Sequence, residues 1–263
     1  MKTFVFVKRN LKECGRDPVT YIFCLAFPIV MLALFAAINA SIPVKQTTFE
    51  YTSLIPGVIV FGFSFVSLNL SLLVSKDRKS AFLRRLYVSP LKPADFVFGY
   101  AAIGVIVGIL QSTTCVFSGY ILSLITGDGY FTFGAACLLI LSQLPELFVC
   151  VFVGIFAGAV LSEKSAPAIT SAFVCQPSGI LGGAWMPLDI MGGFEKFCEF
   201  LPFYPSVKIG RAITGALHSV SDYATNYREA YAFDTTTCLG FLTVFLYAVV
   251  FAAFSFFSFS KRK

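Results

Sequence analysis

The feature that most constrains this chain is where its charges are missing. Uncharged stretches of 27 residues between Asp17 and Lys45, 25 between Glu50 and Lys76 and 32 between Asp95 and Asp128 are followed by 24 between Lys164 and Asp189 and 26 between Asp234 and Lys261. A helix needs about 20 apolar residues to cross about 30 Å of hydrocarbon, so each stretch can hold one membrane span. A further stretch of 34 residues, between Asp128 and Glu163, carries one charge, Glu146, directly after Pro145, and is expected to span with a kink. Only 13% of residues are charged and 57% are apolar, against about 25% charged in a soluble domain. Lipid is therefore the expected solvent.

The expected fold is an all-α membrane protein, a single transmembrane domain over 1–263, with spans near 19–40, 54–75, 96–126, 130–161, 166–186 and 235–260. Six spans return the chain to the side it started from. Of the 20 Lys and Arg residues, 15 fall in the N-terminal arm, the 76–95 loop, Lys164 and the tail. The opposite side holds Lys45, Lys196, Lys208, Arg211 and Arg228. That bias predicts an inner (plasma) membrane protein with both termini cytoplasmic. The net charge of +6 then reflects topology, and no nucleic-acid partner is expected. Of eight cysteines, Cys24, Cys115, Cys137, Cys150 and Cys175 lie inside apolar stretches and no CxxC occurs, so they read as packing residues. The first apolar run exceeds the 7–15 residues of a signal-peptide core and is expected to be retained.

Three segments lie between or before the spans. In residues 1–17, Phe4, Val7, Leu11 and Cys14 recur at helical spacing while Lys8, Arg9, Lys12 and Arg16 fill other faces, which predicts an amphipathic helix on the anionic cytoplasmic surface. In 76–95, six basic residues surround Phe82, Leu83, Leu86 and Tyr87, whose four-residue spacings predict a short helix ended by Pro90 and Pro93. The 187–234 segment is external by the charge bias and rich in aromatics and prolines. Its first half is expected to form short helices at the outer interface or re-entering it.

Two stretches resemble the permeases of ABC-2 type ABC transporters. Arg84-Arg85-Leu86-Tyr87-Val88-Ser89-Pro90-Leu91, followed by 96–99, is similar to that family's coupling helix and the turn into span three. Gly182-Gly183-Ala184-Trp185-Met186-Pro187, then Leu201-Pro202-Phe203-Tyr204-Pro205 and Arg211, is similar to its end of span five and external helices. One departure is Lys76-Asp77-Arg78-Lys79-Ser80-Ala81, where the family often has an acid, an Arg and a Gly-Thr; the Asp-Arg is present and the glycine is not. The resemblance implies two permease chains, identical or homologous, with two separate ATPase subunits that bind ATP and Mg. No phosphate-cradling G-x-x-x-x-G-K-[ST] occurs here, so the chain itself needs no cofactor and no catalytic residue is expected.

The candidate residues follow. For ATPase coupling, Phe82, Leu83, Leu86 and Tyr87 would enter a groove while Arg78, Arg84 and Arg85 pair with acids; the plainer reading is a basic loop on lipid. In the external segment the candidates are Trp185, Pro187, Phe200, Pro202, Pro205 and Arg211. Glu146 must face protein or a water-filled path, as a structural group beside Pro145 or a member of the substrate path. Gly104/Gly108 and Gly154/Gly158 suit close helix packing within the chain. His218 has no second ligand at metal spacing. A secondary transporter or channel would call for several mid-membrane ionisable groups or repeat-related broken spans, and an intramembrane enzyme for paired catalytic groups. The expected reading is an exporter permease for an amphipathic drug, lipid-linked molecule or peptide.

Overall fold

The computed structural model describes residues 2–42, 49–80, 93–127, 131–186, 188, 191, 193–221 and 226–260. Helices α1 (Lys2–Cys14), α2 (Tyr21–Ser41), α3 (Tyr51–Lys79), α4 (Pro93–Thr126) and α5 (Phe133–Val160) are followed by α6 over 165–180, α7 (Gly193–Glu199), α8 (Phe203–Thr214) and α9 (Thr235–Ser260). Between α8 and α9 lies the antiparallel hairpin β1 (Leu217–Ser221) and β2 (Asn226–Ala230), with Leu217 opposite Ala230. The fold is otherwise helical, as expected; the hairpin lies in the half of the external segment for which the sequence suggested no element. Among the described residues five helices, α2, α3, α4, α5 and α9, are long and apolar enough to cross a membrane.

The stretch expected as span five, 166–186, is the shorter α6. Its helix stops at Ile180, and Gly183 at φ 67° takes the left-handed conformation that lets the chain turn there. Helices α2 and α6 share a distortion: wide π turns at Tyr21–Ala26 and Ser171–Cys175 precede Pro28 and Pro177. Proline lacks an N–H and crowds the carbonyl four residues back, and widening that turn relieves the clash.

Helix α3 is the central post, with Ser64, Ser67, Ser71 and Ser75 fully buried along it. Gly154 and Gly158 let α5 lie against it; a Cβ at Gly158 would sit 2.7 Å from the Ser71 carbonyl oxygen. A Cβ at Gly104 of α4 would meet Leu70 at 2.6 Å, and Gly108 faces Leu147. Both glycine pairs therefore serve packing inside this chain. Helix α9 closes the bundle with one stripe, Gly240, Val244, Ala248, Ser255 and Phe259, and Ser255 Oγ donates to the Phe152 carbonyl at 2.9 Å. Its remaining faces are exposed phenylalanines and leucines.

Helix α1 is amphipathic, and one of its faces is turned to the bundle. Phe6, Asn10 and Cys14, spaced by four, are buried, whereas Phe4 is 72% and Leu11 39% exposed. Phe6 packs edge-on against Phe96 (5.8 Å) and Tyr100 (5.1 Å) of α4, so the helix is docked on the bundle and still presents an apolar edge outward.

Candidate functional site

The last turn of α3 is fastened to three neighbours. Asp77, buried there, accepts two hydrogen bonds from the Arg9 guanidinium of α1, at 3.1 and 3.2 Å, and one from the Tyr100 hydroxyl of α4 at 2.8 Å. Arg9 also pairs with Glu13 at 2.8 Å. Burial disfavours the guanidinium charge, but the Asp77 carboxylate outweighs it and holds the Arg9 pKa above its ordinary value. Arg78 turns the other way and donates through both terminal nitrogens to the carbonyls of Ala159 and Leu161, which cap the end of α5. Lys79 pairs with Glu163 in the α5–α6 turn at 2.6 Å, and this hydrogen bond holds the Glu163 carboxyl below the usual carboxylate range.

The opposite end of α3 is fastened by Arg211 and Thr214 of α8. Arg211 of α8 is 1% exposed and donates to the carbonyls of Ser53 (3.2 Å) and Gly183 (2.6 Å) and to the Tyr231 hydroxyl (3.4 Å). The guanidinium also lies over the Tyr231 ring, 5.7 Å from its centroid. Thr214 Oγ1 donates to the Thr52 carbonyl at 2.6 Å. Gly215 at φ 68° then ends α8 with a left-handed cap, donating to the Arg211 carbonyl.

Between those ends α3 keeps one open stripe. Phe61, Phe65, Leu68, Asn69 and Leu72 are half-buried and Lys76 is exposed, while the residues around them are buried. Their spacing of three or four puts them on one face. Rings from α2 and the end of α6 extend it: Phe65 meets Phe23 (5.5 Å) and Phe27 (5.0 Å), Phe61 meets Trp185 (5.0 Å), and Trp185 stacks on Phe35 at 4.8 Å. At the Lys76 end the stripe enters a cleft of about 660 Å³ lined also by Arg9, Lys12 and Arg16. A second cleft, of about 460 Å³, is almost wholly apolar and runs between α5, α6 and α9.

Glu146 is fully buried, one turn past a break in α5 at Gln143. The kink expected from Pro145 is this break; helix resumes at Leu144, with the proline in the first turn where its lost N–H matters least. Ser206 Oγ of α8 donates to Glu146 Oε2 at 3.3 Å, Cys150 Sγ approaches Oε1 at 3.7 Å, and Gln143 Nε2 donates to the Ser206 carbonyl at 2.9 Å. Of the two readings left open by the sequence, these contacts favour the structural one.

Of the other sequence candidates, Arg78 is engaged inside the chain, while Phe82, Leu83, Arg84, Arg85, Leu86, Tyr87 and Pro187 lie outside the described residues. Trp185 joins the aromatic stripe, Phe200 is 73% exposed, Pro202 accepts a hydrogen bond from Ser206, and Pro205 packs on Gly240 of α9. The sequence reading missed Arg9 and Tyr100 as partners of Asp77, and Ser206 as partner of Glu146. For Asp77 a signal existed, since it is the one acid in the run Lys76-Asp77-Arg78-Lys79 and lies at the end of an apolar stretch.

Comparison with known proteins adds three findings. A family model described as ABC-2 type transporter matches residues 1–214. The chain is 38% identical over 91 residues to a ycf38 protein of Cyanophora paradoxa named as a transport permease, a match covering 34% of this chain and 31% of that relative. No solved structure matches.

Proposed function

The chain belongs to the ABC-2 type transporter family, and from that premise we propose that it is the membrane subunit of an ATP-driven exporter. In this reading two permease chains form the translocation path and two separate ATPase subunits bind ATP and Mg. The termini and the 81–92 segment are cytoplasmic, in a cell's inner membrane, and α6 with the turn to Met186 crosses as the sixth span. Helix α8 is then re-entrant: its Ser206 end reaches Glu146 deep in the bundle, and its Thr214 end returns to Thr52 at the outer end of α3.

The observation that carries this reading is the fastening of the last turn of α3. Segment 81–92, which resembles a coupling helix, follows directly from the turn held by Arg9, Tyr100 and the end of α5. A force applied to that segment moves α1, α3, α4 and α5 together, as rigid-body rocking requires. Arg78 serves as the root of this lever rather than as a contact to the ATPase, and Phe82 and Leu86 are left as its apolar anchors. Replacing both by Asp is expected to leave the membrane-inserted protein intact and abolish its copurification with the ATPase. Full ATPase retention by the double variant would sink the coupling assignment.

A further inference from the structure

We propose that the 660 Å³ cleft at the inner end of α3 is a loading site for the phosphate-type head of a membrane amphiphile, whose tail lies along the open stripe of α3. The inference rests on the proposed orientation, which puts α1 at the cytoplasmic leaflet, and it narrows the exporter's substrate class to anionic amphiphiles. The lining brings four cations, Arg9, Lys12, Arg16 and Lys76, together with two acids, Glu13 and Asp17. Arg9 is spent on Glu13 and Asp77. Lys12, Arg16 and Lys76 form no ion pair among the described residues, and all three are exposed. Three uncommitted cations, from α1, the turn after it and α3, converging on one cleft, suit a group with several anionic oxygens and repel a cationic one.

The floor of the cleft gives the site its direction. Leu72 and Asn69 line the cleft, and beyond Asn69, whose amide donates to Thr20 Oγ1 at 2.5 Å, the α3 stripe is apolar through Leu68 and Phe65. From Lys76 to Phe65 is roughly 16 Å along the helix axis, close to the roughly 15 Å of one leaflet's hydrocarbon. A lipid-length tail with its head at Lys76 thus ends at Phe65, among Phe23, Phe27 and Phe61, one ring from Trp185. The apolar edge of α1 beside the cleft, Phe4 and Leu11, stands where a lipid would enter from the leaflet.

Trp185 is the only tryptophan in the chain, which gives a direct readout. The purified protein in nanodiscs of neutral lipid is titrated with hexadecyl phosphate carrying a nitroxide at its tail end, and quenching of Trp185 is followed. Saturable quenching is expected, with the half-saturation concentration rising about tenfold when Lys12, Arg16 and Lys76 are all changed to Gln. Lys8→Gln, which removes an exposed charge of the same helix outside the cleft, should leave the titration unchanged. The proposal is overturned if a hexadecyl trimethylammonium probe gives the same curve, if the triple variant titrates like wild type, or if Lys8→Gln weakens quenching as much as Lys76→Gln. Displacement by inorganic phosphate as effective as by unlabelled hexadecyl phosphate would assign the site to free phosphate and overturn the amphiphile. Neither ATPase nor nucleotide is present, so this test can fail while the ATPase pull-down succeeds, and the reverse.

Discussion

The two ends of α3 are both tied by an arginine on backbone carbonyls, and differ in the ion pairs that only the Lys79 end adds. At the Lys79 end Arg78 also donates to carbonyls, but two of the ties are ion pairs with a partner partly in water: Arg9 is 36% exposed and Lys79 73%. At the Tyr51 end the ties are a buried arginine and a threonine donating to neutral carbonyls. Half-exposed ion pairs are cheap to break and reform, because water replaces much of what is lost. A buried donor has no such substitute, and losing it leaves carbonyls bare. The difference teaches which end can move: the Lys79 end suits a joint worked by a neighbouring subunit, and the Tyr51 end suits a fixed pivot.

The largest expected effect is at the pivot. Arg211→Met should lower stability by about 2–4 kcal/mol, since the Ser53 and Gly183 carbonyls and the Tyr231 hydroxyl lose one shared donor. Thermal unfolding in detergent measures it, and the loss should be the same at low and high salt. At the joint, Asp77→Asn should cost about 1–2 kcal/mol, with a difference from wild type that shrinks as salt rises, because Arg9 is partly in water. Equal salt dependence at the two sites would break the comparison.

Span positions were legible in the sequence because charge is excluded from hydrocarbon. The expected 19–40, 54–75, 96–126, 130–161 and 235–260 correspond to α2, α3, α4, α5 and α9 within a few residues. The largest overrun is instructive: α3 continues through Lys76, Asp77, Arg78 and Lys79, since Asp77, Arg78 and Lys79 find partners on other helices or on the turn between α5 and α6. Those partners were illegible. Arg9 and Asp77 are 68 positions apart and Arg211 and Ser53 158, and no local spacing reports such meetings. The docking of α1 was illegible for a similar reason: only the contact of Phe6 with Tyr100 shows that the helix also turns an apolar face to the bundle.

Glu146 lies between the two ends and tests whether the pivot extends inward. Glu146→Gln keeps an acceptor for Ser206 and should leave stability within about 0.5 kcal/mol of wild type. Glu146→Leu removes it and should cost about 1 kcal/mol, a modest loss because Ser206 Oγ also donates to the Pro202 carbonyl at 3.0 Å. Transport of cationic and anionic substrates should change by the same factor in both variants. A selective loss for cations in Glu146→Gln would move this residue from the pivot to the substrate path.

The smallest effect belongs to the Lys79–Glu163 pair, and pH exposes it. The Glu163 carboxyl is depressed first by the hydrogen bond from Lys79, with Lys76 and Lys164 adding attraction. A carboxyl lowered in the folded state stabilises the protein above its unfolded pKa, about 4.3, and that contribution fades as pH falls through the lower folded value. Glu163→Gln should therefore melt slightly below wild type at pH 7, with the gap closing as pH falls through the lowered folded value. Raising salt at pH 7 should bring the two together as well, because both side chains are open to solvent. If the melting gap at pH 7 exceeded that of Asp77→Asn, the Lys79 end would be a fixed clamp and the assignment of joint and pivot would have to be reversed.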